Sequence, residues 1–509
     1  TTVNGGTLAL AKTAGTTALA GNLTVNAGTV RLDASNQIAD TSTVTLNGTG
    51  TLNLNGQSET LGQLNSTSAT ATTALGAGAL TLTGPNNTNS NYAGTLTGTG
   101  ASSLTVTGTG KVYLSGDGSG YSGTTTVASG TLNLSGTNTV LGSGAVTVST
   151  GGNLQIQGGI SLANAVTLNG TGTSQNGALE NFTGNNTLTG AITVASDSRV
   201  NSDAGTLTLA GNLTLGANTL TVGGVGNVTQ SAVIAGTGGL TKDGAGTLTL
   251  AGANTYTGAT TISAGTLLLT GNERIANTSA VTVASGATFN VNGQTETIGS
   301  LAGAGDVLLG AGSLTAGGDG TSTTFAGNID GTGSFTKTGA GTLTIASDLT
   351  FGGPLNLAGG TLQFDVDNAF TGPVTLSAGT LRLSDADLTI GALNITGNSI
   401  IDFAGTASSL NLASLNISAG VTLTILNWQN ATDYFFTQNW TGAVPDTTGS
   451  APMNQIVFTG FTGNDTKWQG YDDQVTPVPE PSTYGALLVG AGLAFFAHRR
   501  WRRSKPTQS

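Results

Sequence analysis

The chain has 509 residues, of which 8% are charged and 82 are glycine. Cysteine is absent and the sole histidine is His498, which excludes disulfides, thiolate metal sites and most histidine-dependent catalysis from residues 1–497. Residues 1–498 carry nine basic and 25 acidic groups, a net charge of −16, so nucleic acid is not expected as a partner. With 37% hydrophobic residues the chain can form a core, and we expect an ordered protein without a cofactor.

A repeat occupies most of the chain from its N-terminus. The tripeptide Gly-Thr-Leu recurs with a regular step within two groups, first at Gly246 and Gly265 and then at Gly341, Gly360 and Gly379. A second marker is an aromatic residue followed two positions later by glycine: Tyr121/Gly123, Tyr256/Gly258 and Phe370/Gly372. Self-similarity with a fixed period indicates stacked structural units.

Each unit contains two short stretches in which apolar residues alternate with polar ones, as in Leu355/Leu357 and Leu362/Phe364. Alternation with period two predicts strands, here too short to form an independent sheet. Stacking one turn on the next buries the apolar face. We therefore predict an all-β fold, a right-handed parallel β-helix (β-solenoid) over residues 1–420, on the order of 100 Å long at the inter-strand spacing.

The repeats at about 104–134, 238–271 and 333–383 resemble the passenger-associated (autotransporter-associated) β-strand repeat. The resemblance implies a β-helical passenger of a bacterial surface protein. Autotransporters end in a membrane β-barrel of roughly 250–300 residues, and no run of ten-residue alternating strands follows here. The export route is therefore expected to differ.

Two surface features within the repeats are candidates for function. The first is a group of aspartates, Asp365, Asp367, Asp385 and Asp387, which form i, i+2 pairs that could meet on neighbouring turns. We interpret them as solvated turn acids, with a calcium site as the weaker alternative and catalysis by a polysaccharide lyase or hydrolase weaker still.

The second feature is an outward column of threonines, predicted directly after the repeat glycines at Thr247, Thr266, Thr342, Thr361 and Thr380. Two positions later the column is broken by Leu268, Gln363 and Arg382. A hydroxyl ladder within the sheet therefore explains the threonines better than an ice-binding face does.

After about residue 420 the repeat signature ends and aromatic residues become frequent, from Trp428 to Tyr471. An open solenoid end needs an atypical cap, so we predict a small aromatic-rich C-terminal cap at 421–472. Residues 473–477 are expected to form a linker.

The C-terminal tail has three parts. The motif Val478-Pro479-Glu480-Pro481-Ser482-Thr483 precedes an apolar run at 484–497, which predicts one hydrophobic helix. A basic cluster at 498–503 follows, with Arg499, Arg500, Arg502 and Arg503, and residues 504–509 end the chain. The helix would be a marginal membrane span, and the arginines would hold its C-terminal side in the cytoplasm. The preceding residues are then exported, and because the chain begins at Thr1 without a signal peptide, we expect a mature form or a fragment.

This tail, at 478–503, resembles the PEP-CTERM sorting signal of Gram-negative bacteria. The resemblance implies transient insertion into the inner membrane, recognition by the protease-transpeptidase exosortase, and delivery to the cell surface or extracellular matrix. A retained membrane anchor is the alternative. We expect a structural or adhesive surface protein without catalysis, with extracellular polysaccharide or neighbouring cells as partners, and keep a carbohydrate-active β-helix enzyme and an ice-binding protein as alternatives.

Overall fold

The computed structural model describes residues 1–84, 89–405, 407–439, 452–461, 466–469 and 473–477. The chain divides into two compact units, Thr1–Asp319 and Gly320–Ser509. Each unit is built from short strands joined by turns and loops. Within the described residues, helix is limited to two 3-10 segments, Thr173–Gln175 and Met453–Gln455.

The first unit contains 38 strands in its described residues. In chain order they are β1 Thr2–Val3, β2 Thr7–Leu10, β3 Leu23–Val25, β4 Thr29–Leu32, β5 Thr43–Leu46, β6 Thr51–Asn53, β7 Glu59–Leu61, β8 Gln63–Asn65, β9 Thr72–Ala74, β10 Ala79–Leu82, β11 Ser90–Tyr92, β12 Thr95–Thr97, β13 Ser103–Val106, β14 Lys111–Leu114, β15 Thr124–Val127, β16 Gly130–Leu134, β17 Val146–Val148, β18 Gly152–Gln157, β19 Ser161–Leu162, β20 Val166–Gly170, β21 Leu179–Thr183, β22 Asn186–Leu188, β23 Ile192–Ser202, β24 Thr206–Leu209, β25 Leu213–Gly216, β26 Leu220–Gly223, β27 Asn227–Gln230, β28 Ile234–Gly236, β29 Leu240–Lys242, β30 Thr247–Leu250, β31 Thr260–Ile262, β32 Thr266–Leu269, β33 Ala280–Val283, β34 Thr288–Asn290, β35 Thr295–Ile298, β36 Ser300–Gly303, β37 Asp306–Gly310 and β38 Ser313–Ala316.

The second unit contains 17 strands in its described residues. They are β39 Thr323–Phe325, β40 Ile329–Gly331, β41 Ser334–Lys337, β42 Thr342–Ile345, β43 Leu355–Leu357, β44 Thr361–Phe364, β45 Asn368–Phe370, β46 Val374–Leu376, β47 Thr380–Leu383, β48 Asp387–Ile395, β49 Ser399–Phe403, β50 Ser409–Ile417, β51 Leu423–Leu426, β52 Tyr434–Thr437, β53 Ile456–Phe458, β54 Thr466–Gln469 and β55 Gln474–Pro477.

Parallel pairing between successive turns confirms the predicted β-solenoid in both units. In the first unit one ladder runs β14–β16–β18–β21–β23–β26–β29–β31. In the second unit one ladder runs β42–β44–β47–β49–β51–β53. Across the described residues the two units make about 21 turns. The handedness of the coil stays a prediction.

Where the Gly-Thr-Leu signature is regular, the spacing between its glycines along the chain equals the spacing between paired residues on successive strands. Thr247 pairs with Thr266, and Thr361 pairs with Thr380, the same step that separates the repeat glycines. Elsewhere the corners carry insertions, and the step is longer where Leu154 pairs with Leu179. The ladder tolerates these insertions because only the strands pair, while extra residues extend outward at the turns.

The core consists of the apolar side chains that alternate with polar ones along the strands and point inward. In β30 Leu248 and Leu250 are buried, while Thr247 and Thr249 are half-buried on the outward face. Fully burying a leucine side chain contributes roughly 1.5–3 kcal/mol, so the apolar residues of each turn are a large favourable contribution to its stacking on the next turn.

The repeat glycines serve two different geometries. Gly265 adopts a φ of +67°, in the left-handed region that glycine tolerates. Gly246 needs no positive φ; a Cβ there would lie 1.9 Å from the carbonyl oxygen of Gly226 in the preceding turn. Gly265 is required both by its backbone conformation and by the close approach of the preceding turn, whereas Gly246 is required by close approach alone.

Parallel pairing continues beyond residue 420, through β51 and β53. The segment predicted as a linker contains β55, which pairs antiparallel with β54. Buried Trp428 makes edge-to-face contacts with Phe403 and Phe458, at centroid distances of 5.2 and 5.1 Å. These rings pack as core residues, whereas a separate cap at 421–472 stays a prediction.

Candidate functional site

The predicted sorting residues lie outside the described residues. This applies to Val478, Pro479, Glu480 and Pro481, to the apolar run 484–497, and to Arg499, Arg500, Arg502 and Arg503. Among the residues with described structure, no helix combines the length and apolar character that crossing a bilayer requires.

The four weak calcium candidates are engaged with the chain around them. The backbone N–H of Asp387 donates to Asp367 Oδ1 at 2.8 Å, and Asp387 Oδ1 accepts from Ser409 Oγ at 2.6 Å. Asp365 Oδ1 accepts a hydrogen bond from the side-chain amide of Gln363 at 2.7 Å, and Asp385 lies in a turn with a φ of +54°. Over the described ranges, no three acidic or histidine side chains come together in a way that could hold a metal ion. The carboxylates act locally as turn and strand caps.

The predicted column of five repeat threonines is divided between two sheets, with Thr247 paired to Thr266 in one of them, whereas the predicted interruption two positions later is confirmed. Thr342, Thr361 and Thr380 are partners on successive strands and form a column, whereas Thr344 is followed by Gln363 and Arg382. The second column that a regular Thr-x-Thr face needs is therefore interrupted.

A longer threonine column lies in the first unit and was not predicted. Eight successive strands place threonine at partner positions: Thr60, Thr81, Thr105, Thr126, Thr147, Thr167, Thr193 and Thr214. Their spacing along the chain varies, so the pattern emerges only from the register. The adjacent outward positions include Ala79, Ser103 and Thr124, so this column has no threonine partner column either.

Two lysines are buried inside the solenoid, which sequence reasoning missed. Lys242 and Lys337 are 2% and 1% exposed and occupy the same position in two repeats. Lys242 Nζ donates to the carbonyls of Asp243 and Gly244 at 2.9 and 2.8 Å. Lys337 Nζ repeats this arrangement at 2.6 and 3.1 Å. Each lysine thus satisfies corner carbonyls that point inward and have no partner in the ladder.

Burial is the main cause that lowers the pKa of Lys242 to about 8. A lysine with a depressed pKa is a nucleophile candidate in an enzyme. Here the ammonium is enclosed by three backbone carbonyls and lies in the core. Its arrangement is that of a structural cap.

Two buried glutamates accept hydrogen bonds from backbone N–H groups. Glu59 and Glu296 belong to a repeated Asn-Gly-Gln-x-Glu-Thr sequence and are 1% and 0% exposed. Glu296 accepts hydrogen bonds from the backbone N–H groups of Arg274 and Ile275, both at 2.8 Å. Glu59 accepts one from the backbone N–H of Gln37 at 2.8 Å. Burial raises the pKa of both carboxyls to about 7. The repeated hexapeptide, at 55–60 and again at 292–297, was the signal available in the sequence.

These observations define the class of protein: a parallel β-solenoid whose ionisable interior groups hold corners together. Two family models match the chain. The passenger-associated-transport-repeat model matches residues 104–134, 240–269, 335–364 and 365–383, and the PEP-CTERM protein-sorting motif matches residues 477–503. The chain therefore contains passenger-associated repeats and a C-terminal PEP-CTERM sorting motif, as the sequence predicted. No curated protein and no solved structure matches it.

The two sets of matches fit the structure. The buried Lys242 and Lys337 lie in the second and third matched repeats. The sorting motif indicates an exported, membrane-anchored precursor.

Proposed function

We propose that this protein is a structural or adhesive β-solenoid of the cell surface or extracellular matrix, delivered there after exosortase processing of its C-terminal tail. The observation that carries the proposal is the order of parts: parallel solenoid turns followed by a match to the sorting motif at 477–503. The tail is then a substrate of another protein's reaction, with the motif as its recognition feature and the arginines as a stop on the cytoplasmic side.

The chemistry of the described residues supports a scaffold. Three of the ionisable groups with a shifted pKa, Lys242, Glu59 and Glu296, bind backbone groups inside the core. Outward positions are mostly threonine, serine and asparagine, which present a hydroxyl- and amide-rich surface. Such a surface suits extended contact with polysaccharide or with neighbouring cells.

We also propose that the protein is not an enzyme. Asp365 and Asp387, the acids considered for carbohydrate chemistry, accept hydrogen bonds from their own chain. The proposal is tested by incubating the purified protein with a panel of acidic polysaccharides and measuring chain cleavage. Turnover that disappears on Asp365→Ala or Asp387→Ala would overturn it.

Processing is tested by intact-mass measurement of the protein recovered from a bacterium with an exosortase and from its exosortase deletion strain. We expect a surface or secreted product that has lost the residues following the motif, and a full-length membrane form in the deletion strain. Pro479→Ala combined with Pro481→Ala should reproduce the deletion, while Thr476→Ala, just outside the match, should be processed normally. Equal full-length masses in both strains would show that the tail is an anchor.

A further inference from the structure

One aromatic side chain stands out on the surface of the first unit. Phe182 is 40% exposed and is, with Val225, one of two exposed large apolar residues in the described part of the chain. It lies at a β-bulge in β21: Ile156 pairs with Asn181, and the next partner of β18 is Thr183. A bulge inserts one residue and re-aims its side chain, so the outward position of Phe182 is a local feature of the fold.

A lysine approaches this ring from a distant strand. Lys111 Nζ lies 5.8 Å from the Phe182 ring centroid. Lys111 belongs to β14, which is separated from β21 by β16 and β18. The two side chains therefore meet across the outward face of these intervening strands.

A row of polar side chains crosses the same face along the stacking direction. Tyr113, Asn133, Gln155 and Glu180 are register partners on β14, β16, β18 and β21. Asn133 Nδ2 donates to Gln155 Oε1 at 2.6 Å, and Gln157 Nε2 donates to Asn133 Oδ1 at 3.1 Å. Asn133, Gln155 and Glu180 are buried beneath the surface of this face, whereas Gln157 and Tyr113 are half-buried and remain reachable.

This combination has the chemistry of a sugar-binding surface. An aromatic face packs against the C–H side of a pyranose ring, amide and phenol groups pair with sugar hydroxyls, and an ammonium pairs with a carboxylate. Successive turns place equivalent groups roughly 4.8 Å apart, close to the length of one monosaccharide in a chain. A protein partner would call for a cluster of apolar anchors, and Phe182 stands among polar residues.

We propose that the outward face of β14, β16, β18 and β21 binds an acidic polysaccharide along the stacking direction, with sugar rings on Phe182 and Tyr113 and a uronate carboxylate at Lys111. Gln157 supplies an amide to the sugar hydroxyls. Burial raises the pKa of Glu180 to about 7, which reduces the negative charge that this carboxyl presents near neutral pH. The site rests on the proposed function only in requiring that the protein meets polysaccharide outside the cell.

The test measures binding of the full chain to alginate, a uronate polymer, and to dextran, a neutral one, by affinity electrophoresis and calorimetry. We expect alginate binding to weaken about 10-fold on Phe182→Ala and to be retained by Phe182→Trp, since indole also stacks on sugars. Lys111→Gln should abolish the preference for alginate over dextran. Val225→Ala, which removes the other exposed apolar side chain, is the matched control and should bind as wild type.

Two outcomes would overturn the site. If wild type binds alginate and Phe182→Ala binds it equally well with unchanged circular dichroism, the polysaccharide binds elsewhere. If wild type binds neither polymer, this face is not a polysaccharide site, while the exosortase processing experiment continues to test surface delivery independently.

Discussion

We predict that the turns around the buried Glu59 and Glu296 become less stable as pH rises towards neutrality. Burial raises the pKa of Glu296 from 4.5 to about 7, so between these values the folded state holds a proton that the unfolded state has released. Stability falls with pH wherever the folded state binds more protons. The contribution of protonated Glu296 is therefore fully present below pH 4.5 and is lost as pH rises through about 7.

The magnitude follows from the same values. A carboxyl pKa moved from 4.5 to about 7 corresponds to about 3 kcal/mol if the group is fully isolated from solvent. Residual solvent screening lowers the expectation to about 1–2 kcal/mol. In hydrogen exchange this equals roughly a 10-fold loss of protection at the amides of Arg274 and Ile275, which donate to the carboxylate.

Hydrogen exchange with mass spectrometry between pH 4.5 and 7.5, corrected for intrinsic rates, measures this directly. Glu296→Gln should remove the pH dependence around Arg274 and Ile275. The equivalent amides of Gln37 and Ile38, which donate to Glu59, should keep theirs and act as an internal control. Protection that is constant or rises with pH in wild type, or an unchanged slope in the variant, would refute the reasoning.

Three further predictions concern the stability of single turns, measured by urea unfolding and hydrogen exchange. Lys242→Met leaves corner carbonyls without a donor and should lower the local free energy of unfolding by about 2–4 kcal/mol. Because the pKa of Lys242 is lowered from 10.5 to about 8, wild type should gain stability as pH rises between these values, and the variant should not. Lys12→Met, at an exposed lysine, should change neither the stability nor its pH dependence. Gly258→Ala should cost about 2–3 kcal/mol because its Cβ would lie 2.3 Å from a carbonyl oxygen of the preceding turn, whereas Gly100→Ala meets no atom within 4 Å and should be nearly neutral. Arg199→Leu should cost about 1–2 kcal/mol because it leaves a half-buried aspartate without its partner at 2.7 Å.

The solenoid could be predicted because its signal is local and repeated. Alternating residues such as Leu362 and Phe364 define a buried face without knowledge of their partners, and the regular step between repeat glycines gives the register directly. The eight-threonine column could not be predicted. Its members pair across loops of different length, and loop length cannot be separated from strand register without the fold.

The buried caps were missed for a different reason. A lysine or glutamate in an alternating strand is expected on the outward face, and Lys242 and Glu296 occupy inward positions. Burial is tolerated because each group meets several backbone partners at one corner. Their repetition in the sequence was visible, but repetition alone does not tell an inward position from an outward one. Phe182 was likewise assigned no role because a bulge has no sequence signature here.

The buried caps also account for how a degenerate repeat keeps one architecture. A strand ladder satisfies backbone groups only where strands are paired, and each corner leaves N–H and carbonyl groups facing the interior. Glutamate supplies acceptors to the N–H groups, lysine supplies donors to the carbonyls, and Asn368 does both, accepting from Leu349 N at 2.8 Å and donating to Ser347 O at 3.1 Å. Corners held in this way from inside place few demands on the residues outside them. Loop length and surface chemistry can then vary from turn to turn, which is the freedom that a surface scaffold needs in order to acquire a local binding face such as the one around Phe182.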